Sequence, residues 1–482
     1  MLHFNVKPKF DAEVIVVGGG PAGAATAAHL ARNGTHVLLI DRRAFPRDKA
    51  CGDFVGPVAV LELLGLGVKQ IVDDHVANPI RSAALYLDGE LLVRRHFPEV
   101  NGLPAFGRVV PRLVLDAWVV NAARNAGAEI WEGRNVINIE RTDRGVAVLV
   151  AGKPAVQVRA PVVVGADGST SLVARMVRGT PPRRDRIIAM RGYFDSISHP
   201  THEAALYFSR DTFPGYGWLF PGGKQRANVG VGVLLETVPP QSDHLREQLL
   251  HLISKDPAAA RHLARAKQAG NLIGWPLTTF NPGLPVVGDR LLLVGDSAGL
   301  INPLNGEGIQ YALLSGRWAA TVLAHCAKRG FGREQLTEYT MLVSSLNPEM
   351  ALARTIVQLI SNRSLNPISL QVLRLITSRA QQDAGYAVIA GGILAGLVPT
   401  TYAASVGFLS ATFEQCVSVL GRTLGSPRER SALVLATLAM TANLAKSMKG
   451  DQRSSTVEWA FSCLTSLGKV SAGTALQHQP PA

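Results

Sequence analysis

The sequence predicts an α/β protein in three parts: a parallel-sheet domain, an antiparallel-sheet domain inserted into it, and a helical C-terminal region. Three observations carry this. A strand, a glycine-rich turn, a helix and a second strand follow one another between Glu13 and Ile40. This is a βαβ crossover, which demands a parallel sheet and a right-handed connection. Residues of about 80–107 and 180–280 alternate polar and apolar positions with interleaved aromatics, as in Ala227–Val233, which suits antiparallel strands. From about 335 onward the alternation gives way to helical periodicity with few charges.

Composition bounds the function. A chain of 482 residues holds two or three domains and a large core. With 47% hydrophobic and 18% charged residues it is neither disordered, collagen-like nor a coiled coil. The net charge of +13 favours anionic partners without choosing among phosphates, nucleic acid and an anionic membrane. No aromatic–basic interleaving accompanies it, so no nucleic-acid partner is expected. Cys51, Cys326, Cys416 and Cys463 are too far apart for a zinc pattern, and no metal is expected. Met1–Phe10 has no apolar signal core, so the sequence reads as cytoplasmic, with reduced thiols.

The first strand, Glu13–Val17, is a β-branched run that stops at Gly18, and the alanine-rich helix Pro21–Arg32 closes at Asn33–Gly34. In the turn, Gly18 permits the tight bend, Gly20 lets the backbone approach a pyrophosphate, and Gly23 lets the helix pack close to the strand. Pro21 and Ala22 open the helix, whose N-terminus points at the anion. The second strand, His36–Ile40, ends at Asp41, 18 residues after Gly23, where an acid reaches a ribose; Arg42 follows it. This context reads as dinucleotide binding but does not separate FAD from NAD.

Further strands are read at Val146–Val150, Pro161–Val164 and Leu291–Val294, each suited to a buried parallel or edge position. Two later loops decide for FAD: one runs from Gly165 through Asp167 and Gly168, the other from Gly295 to Ile309. Asp296, at a strand end, suits a ribityl hydroxyl. Gly306 and Gly308 allow close backbone approach before a helix starts at Ile309, and that helix N-terminus can stabilise the negative charge of a reduced flavin.

Together these motifs resemble the flavoprotein family with the p-hydroxybenzoate hydroxylase fold, and within it the geranylgeranyl reductase branch, over residues 11–345. Phe45-Pro46-Arg47-Asp48-Lys49-Ala50-Cys51-Gly52-Asp53 resembles the reductases' FPRDKxCG segment, which lies against the flavin. Tyr216-Gly217-Trp218-Leu219-Phe220-Pro221 resembles their YxWxFP motif on the substrate side. Arg112 and Asp116 resemble the RxxxD helix whose arginine contacts FAD; by spacing alone they are equally an i, i+4 surface pair. Val136 occupies the place from which the family's backbone holds the adenine, and is otherwise a core valine. Arg175 lies eight residues after Asp167, one beyond its place in NADPH-using hydroxylases, and the tryptophan and isoleucine of the halogenases' WxWxIP are missing.

The resemblance implies an FAD-dependent oxidoreductase with a Rossmann-type FAD-binding domain, reducing carbon–carbon double bonds of an isoprenoid or other apolar lipid-like substrate. The alternatives are a flavin monooxygenase, or a halogenase, tailoring an aromatic or lipidic intermediate, and a lipid-surface electron relay. The external donor, NADPH or reduced ferredoxin, stays open, as does the oligomeric state. The FAD-binding domain is read at 11–80, 106–178 and 280–345, the substrate domain at 81–105 and 179–279, the helical region at 346–470 and a disordered tail at 471–482.

Cys51, Tyr216 and Trp218 are the candidate reactive groups on the flavin and substrate side. Arg47 and Lys49, near Cys51 in sequence, would raise its thiolate fraction; an inert buried thiol is the other reading. Tyr216 and Trp218 share one strand face by period two and either wall a substrate or pack a core. Glu307 either tunes the flavin or caps a helix. Finally, 384–413 is a stretch of thirty residues without a charge, with Pro399 and five glycines, followed by Arg422, Arg428 and Arg430. It fits a membrane span, a peripheral lipid contact or core packing.

Overall fold

A computed structural model describes residues 10–99, 102–142, 144–237, 243–362 and 366–394, with 411, 412, 414 and 415. The strand Val14–Val17 lies inside a six-stranded sheet ordered Val287–Gly288, Leu291–Leu293, Val162–Gly165, Val14–Val17, Val37–Ile40, Glu129–Trp131. All neighbours are parallel except Val287–Gly288 with Leu291–Leu293. The register sets Val17 beside both Gly165 and Ile40, so Gly18, Ala166 and Asp41 leave the sheet at one edge. The central strands are buried on both faces, which is why they read as continuous apolar runs. The helix Pro21–Arg32 packs between helices Ile309–Cys326 and Arg112–Asn125. Its small residues and Gly316 allow this: a Cβ on Gly316 would stand 2.6 Å from the Ala22 carbonyl oxygen.

One strand departs from the sequence reading. Gly145–Val150 is the centre of a separate three-stranded antiparallel sheet, between Val136–Thr142 and Val156–Ala160. The links on either side, 143–144 and 151–155, are hairpin-sized, whereas a parallel neighbour needs a crossover of about a dozen residues. Burial of nearly every position removed the alternation that would have revealed it.

The second large sheet has seven strands: Lys267–Thr278, Arg186–Asp195, Arg226–Leu234, Tyr216–Gly223, Glu203–Phe208, Ser82–Leu87 and Glu90–His96. It is antiparallel except where Glu203–Phe208 pairs with Ser82–Leu87. Helices His244–Ser254 and Pro257–Leu263 cover one face. Gly217 faces them, since a Cβ there would meet Leu252 at 2.5 Å. By the strand's alternation Tyr216, Trp218 and Phe220 face the other way.

The C-terminal periodicity is realised as helices Thr337–Ser344, Asn347–Ile360, Asn366–Gln382 and Ala384–Leu394. The third lies along the edge strand Glu90–His96. Arg95 donates to the Ala380 carbonyl at 2.9 Å, and Leu370 and Leu373 pack on Leu85, Leu87 and Leu92. This covers an edge that would otherwise be open to pairing. Of the uncharged stretch 384–413, the first eleven residues form the helix Ala384–Leu394. No helix among the described residues is long and apolar enough to cross a membrane. Residues 395–410, Arg422, Arg428, Arg430, Cys416, Cys463 and the tail 471–482 lie outside the described residues.

Candidate active site

The glycines of the first turn divide by what surrounds them. A Cβ on Gly18, at φ +104°, would stand 2.3 Å from the Ala166 carbonyl oxygen, and one on Gly23 would stand 1.9 Å from that of Gly18. Both are required by the chain's own packing. Gly20 is different: a Cβ there meets only Arg47 Nη2, at 3.7 Å. The space above Gly20 is therefore left for something else, between a guanidinium and the N-terminus of Pro21–Arg32, which has no side-chain cap. Pro21 and Ala22 form its first turn, so the orphan N–H groups there suit an anion.

Asp41 is 6% exposed and accepts the Gly19 N–H at 2.7 Å, tying the second strand's end to the turn. Arg42 is exposed beside it. The Arg134 N–H donates to the Asp41 carbonyl at 2.8 Å, bringing the loop before Val136 to the same edge. Val136 itself is half-buried against the core and opens the strand that follows.

The segment 45–53 binds the two large sheets together. Arg47 pairs with Asp116 at 2.9 Å, and Asp116 receives both Nε and Nη2 of Arg112 at 2.6 and 2.8 Å. The Arg112–Asp116 pair is thus buried, not a surface pair. Asp48 pairs with Arg191, from the second sheet, and Lys49 Nζ reaches Asp296 at 3.0 Å. Of the two readings of Cys51, acidification by Arg47 and Lys49 is not realised, because both are engaged by carboxylates. Burial pushes the Cys51 thiol up, and Arg112 offsets this only in part, leaving a neutral thiol.

Beyond Cys51 the segment meets the aromatic strand. A Cβ on Gly52 would touch the Phe220 ring at 3.0 Å and Trp218 Nε1 at 3.5 Å. Tyr216, Trp218 and Phe220 form a row with ring centroids 6.4 and 6.2 Å apart. The Tyr216 hydroxyl donates to the Asn305 carbonyl at 2.8 Å, and burial pushes its phenol up to about 12. Tyr216 therefore meets the Asp296–Ile309 loop, while Trp218 and the Cys51 carbonyl are joined through Asn228. At the centre of this contact stands Asp53, fully buried, which accepts the Tyr193 hydroxyl at 2.6 Å and the Asn228 amide at 2.8 Å.

In that loop, burial would raise the Asp296 carboxyl, but the Lys49 ammonium beside it and Arg112 hold it below the usual carboxylate range. Gly306 has φ +71°, and Gly308 precedes the helix Ile309–Cys326, which has no side-chain cap. Glu307 does not cap that helix. Both its carboxylate oxygens are buried without a hydrogen-bond partner among the described residues, and burial with Glu349 nearby pushes the carboxyl up to about 8. Asp167 of the other loop accepts the Leu172 N–H at 2.6 Å at the start of helix Leu172–Arg178.

Arg47, Lys49 and Asp53 stand in the segment the sequence points to, without the roles seen here; Arg191, Tyr193 and Asn228 are missed by sequence. The Arg-Asp-Lys run after the second strand was the available signal for the first two. The last three lie more than 135 residues from their partners in the 48–53 segment, and no local pattern marks them.

The open cradle over Gly20, the uncapped N-termini of helices Pro21–Arg32 and Ile309–Cys326 and the anionic Asp296 fit a dinucleotide. That defines a flavoprotein. The FAD binding domain family model matches residues 11–342. A menaquinone reductase of Mycolicibacterium smegmatis is 34% identical over 327 residues, 65% of this chain and 76% of that protein. Digeranylgeranylglycerophospholipid reductase 2 of Methanopyrus kandleri is 32% identical over 324 residues, again 65% and 76%. A geranylgeranyl bacteriochlorophyll reductase-like structure from Thermoplasma acidophilum superposes with a TM-score of 0.66 at 23% identity, covering 86% of this chain and 98% of that one. The chain belongs to the FAD-binding-domain family, in its geranylgeranyl reductase branch, and is an FAD-dependent oxidoreductase.

The glycine contrast is testable. Gly23→Ala should cost the apoprotein about 3 kcal/mol or more in urea unfolding, through overpacking against backbone. Gly20→Ala should cost about 1 kcal/mol, the N-cap preference alone, yet weaken FAD binding about tenfold, about 1.4 kcal/mol. Equal stability losses, or unchanged FAD affinity, would remove the distinction.

Glu307 makes a pH prediction. Its carboxyl is raised in the folded state, from 4.5 to about 8, so its contribution to stability is present at low pH and is lost as pH rises through that interval. The stability of Glu307→Gln apoprotein relative to wild type should therefore increase with pH between 4.5 and about 8 and level off above. A difference independent of pH would show that Glu307 is ionised like an ordinary glutamate.

Proposed function

We propose that the protein adds hydrogen across a carbon–carbon double bond in the isoprenoid chain of an apolar, lipid-like substrate. The observation that carries this reading is the aromatic row Tyr216, Trp218 and Phe220 set against the Cys51–Gly52 turn. Flat rings on one strand face suit a long apolar chain. The printed names of the relatives, a menaquinone reductase and a digeranylgeranylglycerophospholipid reductase, support the same substrate class.

Saturating one double bond takes a hydride and a proton, and FAD supplies hydride transfer when bound. The chain's residues do the rest. The Gly18–Gly23 turn, Asp41, Arg42, Arg112, Val136 and the loop from Asp296 through Gly306, Gly308 and Ile309 are assigned to hold FAD. Trp218 and Phe220 align the substrate and exclude water. Cys51, neutral through burial, gives its thiol proton to the second carbon and regains one from solvent. Residues 81–105 and 179–279 are assigned as the substrate domain.

A peripheral lipid contact is assigned to the uncharged segment 384–413. Its helix Ala384–Leu394 carries no charged side chain, and Val388 is 38% exposed. An apolar substrate is then collected from the bilayer surface.

Anaerobically reduced protein mixed with a polyprenyl quinone should yield a product that, once its ring is reoxidised in air to the quinone, is still two hydrogens heavier by mass spectrometry. The same assay run with NADPH or reduced ferredoxin identifies the donor. Unchanged acceptors, together with a transient flavin–oxygen adduct when oxygen is admitted, would assign a monooxygenase instead. For the lipid contact, Val388→Asp should reduce co-sedimentation with liposomes several-fold, and equal sedimentation would dismiss it.

A further inference from the structure

We propose that Asp53 is a positioning residue for this reaction: its carboxylate locks the Cys51 turn and the Trp218 indole into one arrangement. The proposal rests on the reading of Cys51 and Trp218 as substrate-facing groups.

Donors converge on Asp53 from three elements. Tyr193 Oη, on strand Arg186–Asp195, and Asn228 Nδ2, on strand Arg226–Leu234, donate to Oδ2 at 2.6 and 2.8 Å. The Arg112 N–H donates to Oδ1 at 3.3 Å. Asp53's own N–H reaches Cys51 Sγ at 3.3 Å, and its carbonyl accepts the Val110 N–H at 2.9 Å. Its backbone is left-handed, φ +64°, a conformation that aspartate tolerates better than most residues.

The direction of every bond is dictated from one end. Trp218 Nε1 is a donor only, so the atom of Asn228 that meets it at 2.9 Å must be Oδ1. Asn228 Nδ2 then points the other way and bridges the Cys51 carbonyl, at 2.7 Å, to Asp53 Oδ2. Only an acceptor can occupy the place of Oδ2. Asparagine differs by one group, yet it sets a donor against either the Asn228 amide or the Arg112 N–H. Turning Asn228 over to relieve this would oppose two donors at Trp218 and two acceptors at Cys51. A single buried carboxylate therefore fixes the Trp218 ring and the Cys51 turn together.

The ionisable groups facing Asp53 are Tyr193 and Arg191 on their strand, Arg112 on its helix, and Cys51. Burial raises the Asp53 carboxyl to about 6, against the hydrogen bonds of Tyr193 and Asn228 and the charges of Arg191 and Arg112. Protonation adds one O–H among groups that donate to the carboxyl and so loosens the network in the same direction as the asparagine.

The experiment compares wild type with Asp53→Asn and Tyr193→Phe as FAD-loaded, full-length proteins. Alkylation of Cys51 by iodoacetamide is followed by peptide mass spectrometry across pH, alongside kcat and KM with a polyprenyl quinone. Asp53→Asn should alkylate about tenfold faster at neutral pH, as the turn opens and the thiol regains its ordinary acidity. Its kcat should fall about tenfold from misplacement. Wild type should show an inflection in Cys51 accessibility near pH 6 that the asparagine variant lacks. Tyr193→Phe keeps the carboxylate and one donor fewer, so it should shift alkylation in the same direction by less, and it decides the matter if the asparagine variant does not fold. Wild-type alkylation rates and an unchanged inflection in Asp53→Asn would overturn the proposal. If wild type reduces no polyprenyl acceptor, the substrate reading falls while the alkylation comparison still judges Asp53.

Discussion

Three consecutive charged residues, Arg47, Asp48 and Lys49, each reach a different part of the molecule, and the site depends on this. Arg47 reaches Asp116 on the helix Arg112–Asn125, Asp48 reaches Arg191 on the second sheet, and Lys49 reaches Asp296 after the strand Leu291–Leu293. Partly buried pairs of this kind add little net stability, because desolvation offsets their attraction. Removing Asp48, however, strands the buried Arg191 guanidinium at a cost of about 3–5 kcal/mol, whereas Asp116 keeps Arg112 when Arg47 is lost. Such pairs are therefore better at specifying one geometry than at strengthening it. Here they set the height of Cys51 and Gly52 over the aromatic strand, and the exposure of the Gly20 cradle beside the Arg47 guanidinium.

What the sequence disclosed follows from how local each constraint is. Gly18 and Gly23 are forced by backbone atoms next to them or one strand away, so the turn could be read from its spacing. Asp41 stands at the strand end as read, and its bond to the Gly19 N–H, which the spacing does not reveal, braces the turn. The Arg112–Asp116 pair was legible as a pair, though not as a buried one bridged by Arg47, because i, i+4 spacing is identical on either face. The alternation of Ala227–Val233 was visible, yet Asn228, which reads as an outward polar position, is buried at the centre of the site. Its partners Cys51 and Asp53 lie 177 and 175 residues away, and no periodicity carries that information.

Two readings failed for related reasons. Val146–Val150 reads as a parallel or edge strand because burial of nearly every position erases the period-two signal, and only the short links around it argue for hairpins. Of the two readings of Cys51 the one with free cations beside it fails, since proximity in sequence does not show where a long side chain is drawn. The helical C-terminal region was legible as helices, but its seat on the edge strand Glu90–His96 depends on Arg95 and on Leu85, Leu87 and Leu92, more than 270 residues earlier.

The environment sorts the site's carboxyl groups into different charge states, and this sorting connects fold to chemistry. Asp296, paired with Lys49, is held as a carboxylate and can accept hydroxyl donors. Glu307, on the same loop but buried without a donor, is kept largely neutral at physiological pH. An ionised Glu307 would sit one residue before Gly308 and cancel the positive end of the helix Ile309–Cys326. Its neutrality leaves that uncapped helix end free to face a negatively charged cofactor. Lys49 on one side and burial on the other thus produce opposite charge states within a dozen residues, placing an anionic acceptor and an uncompensated helix end on one loop.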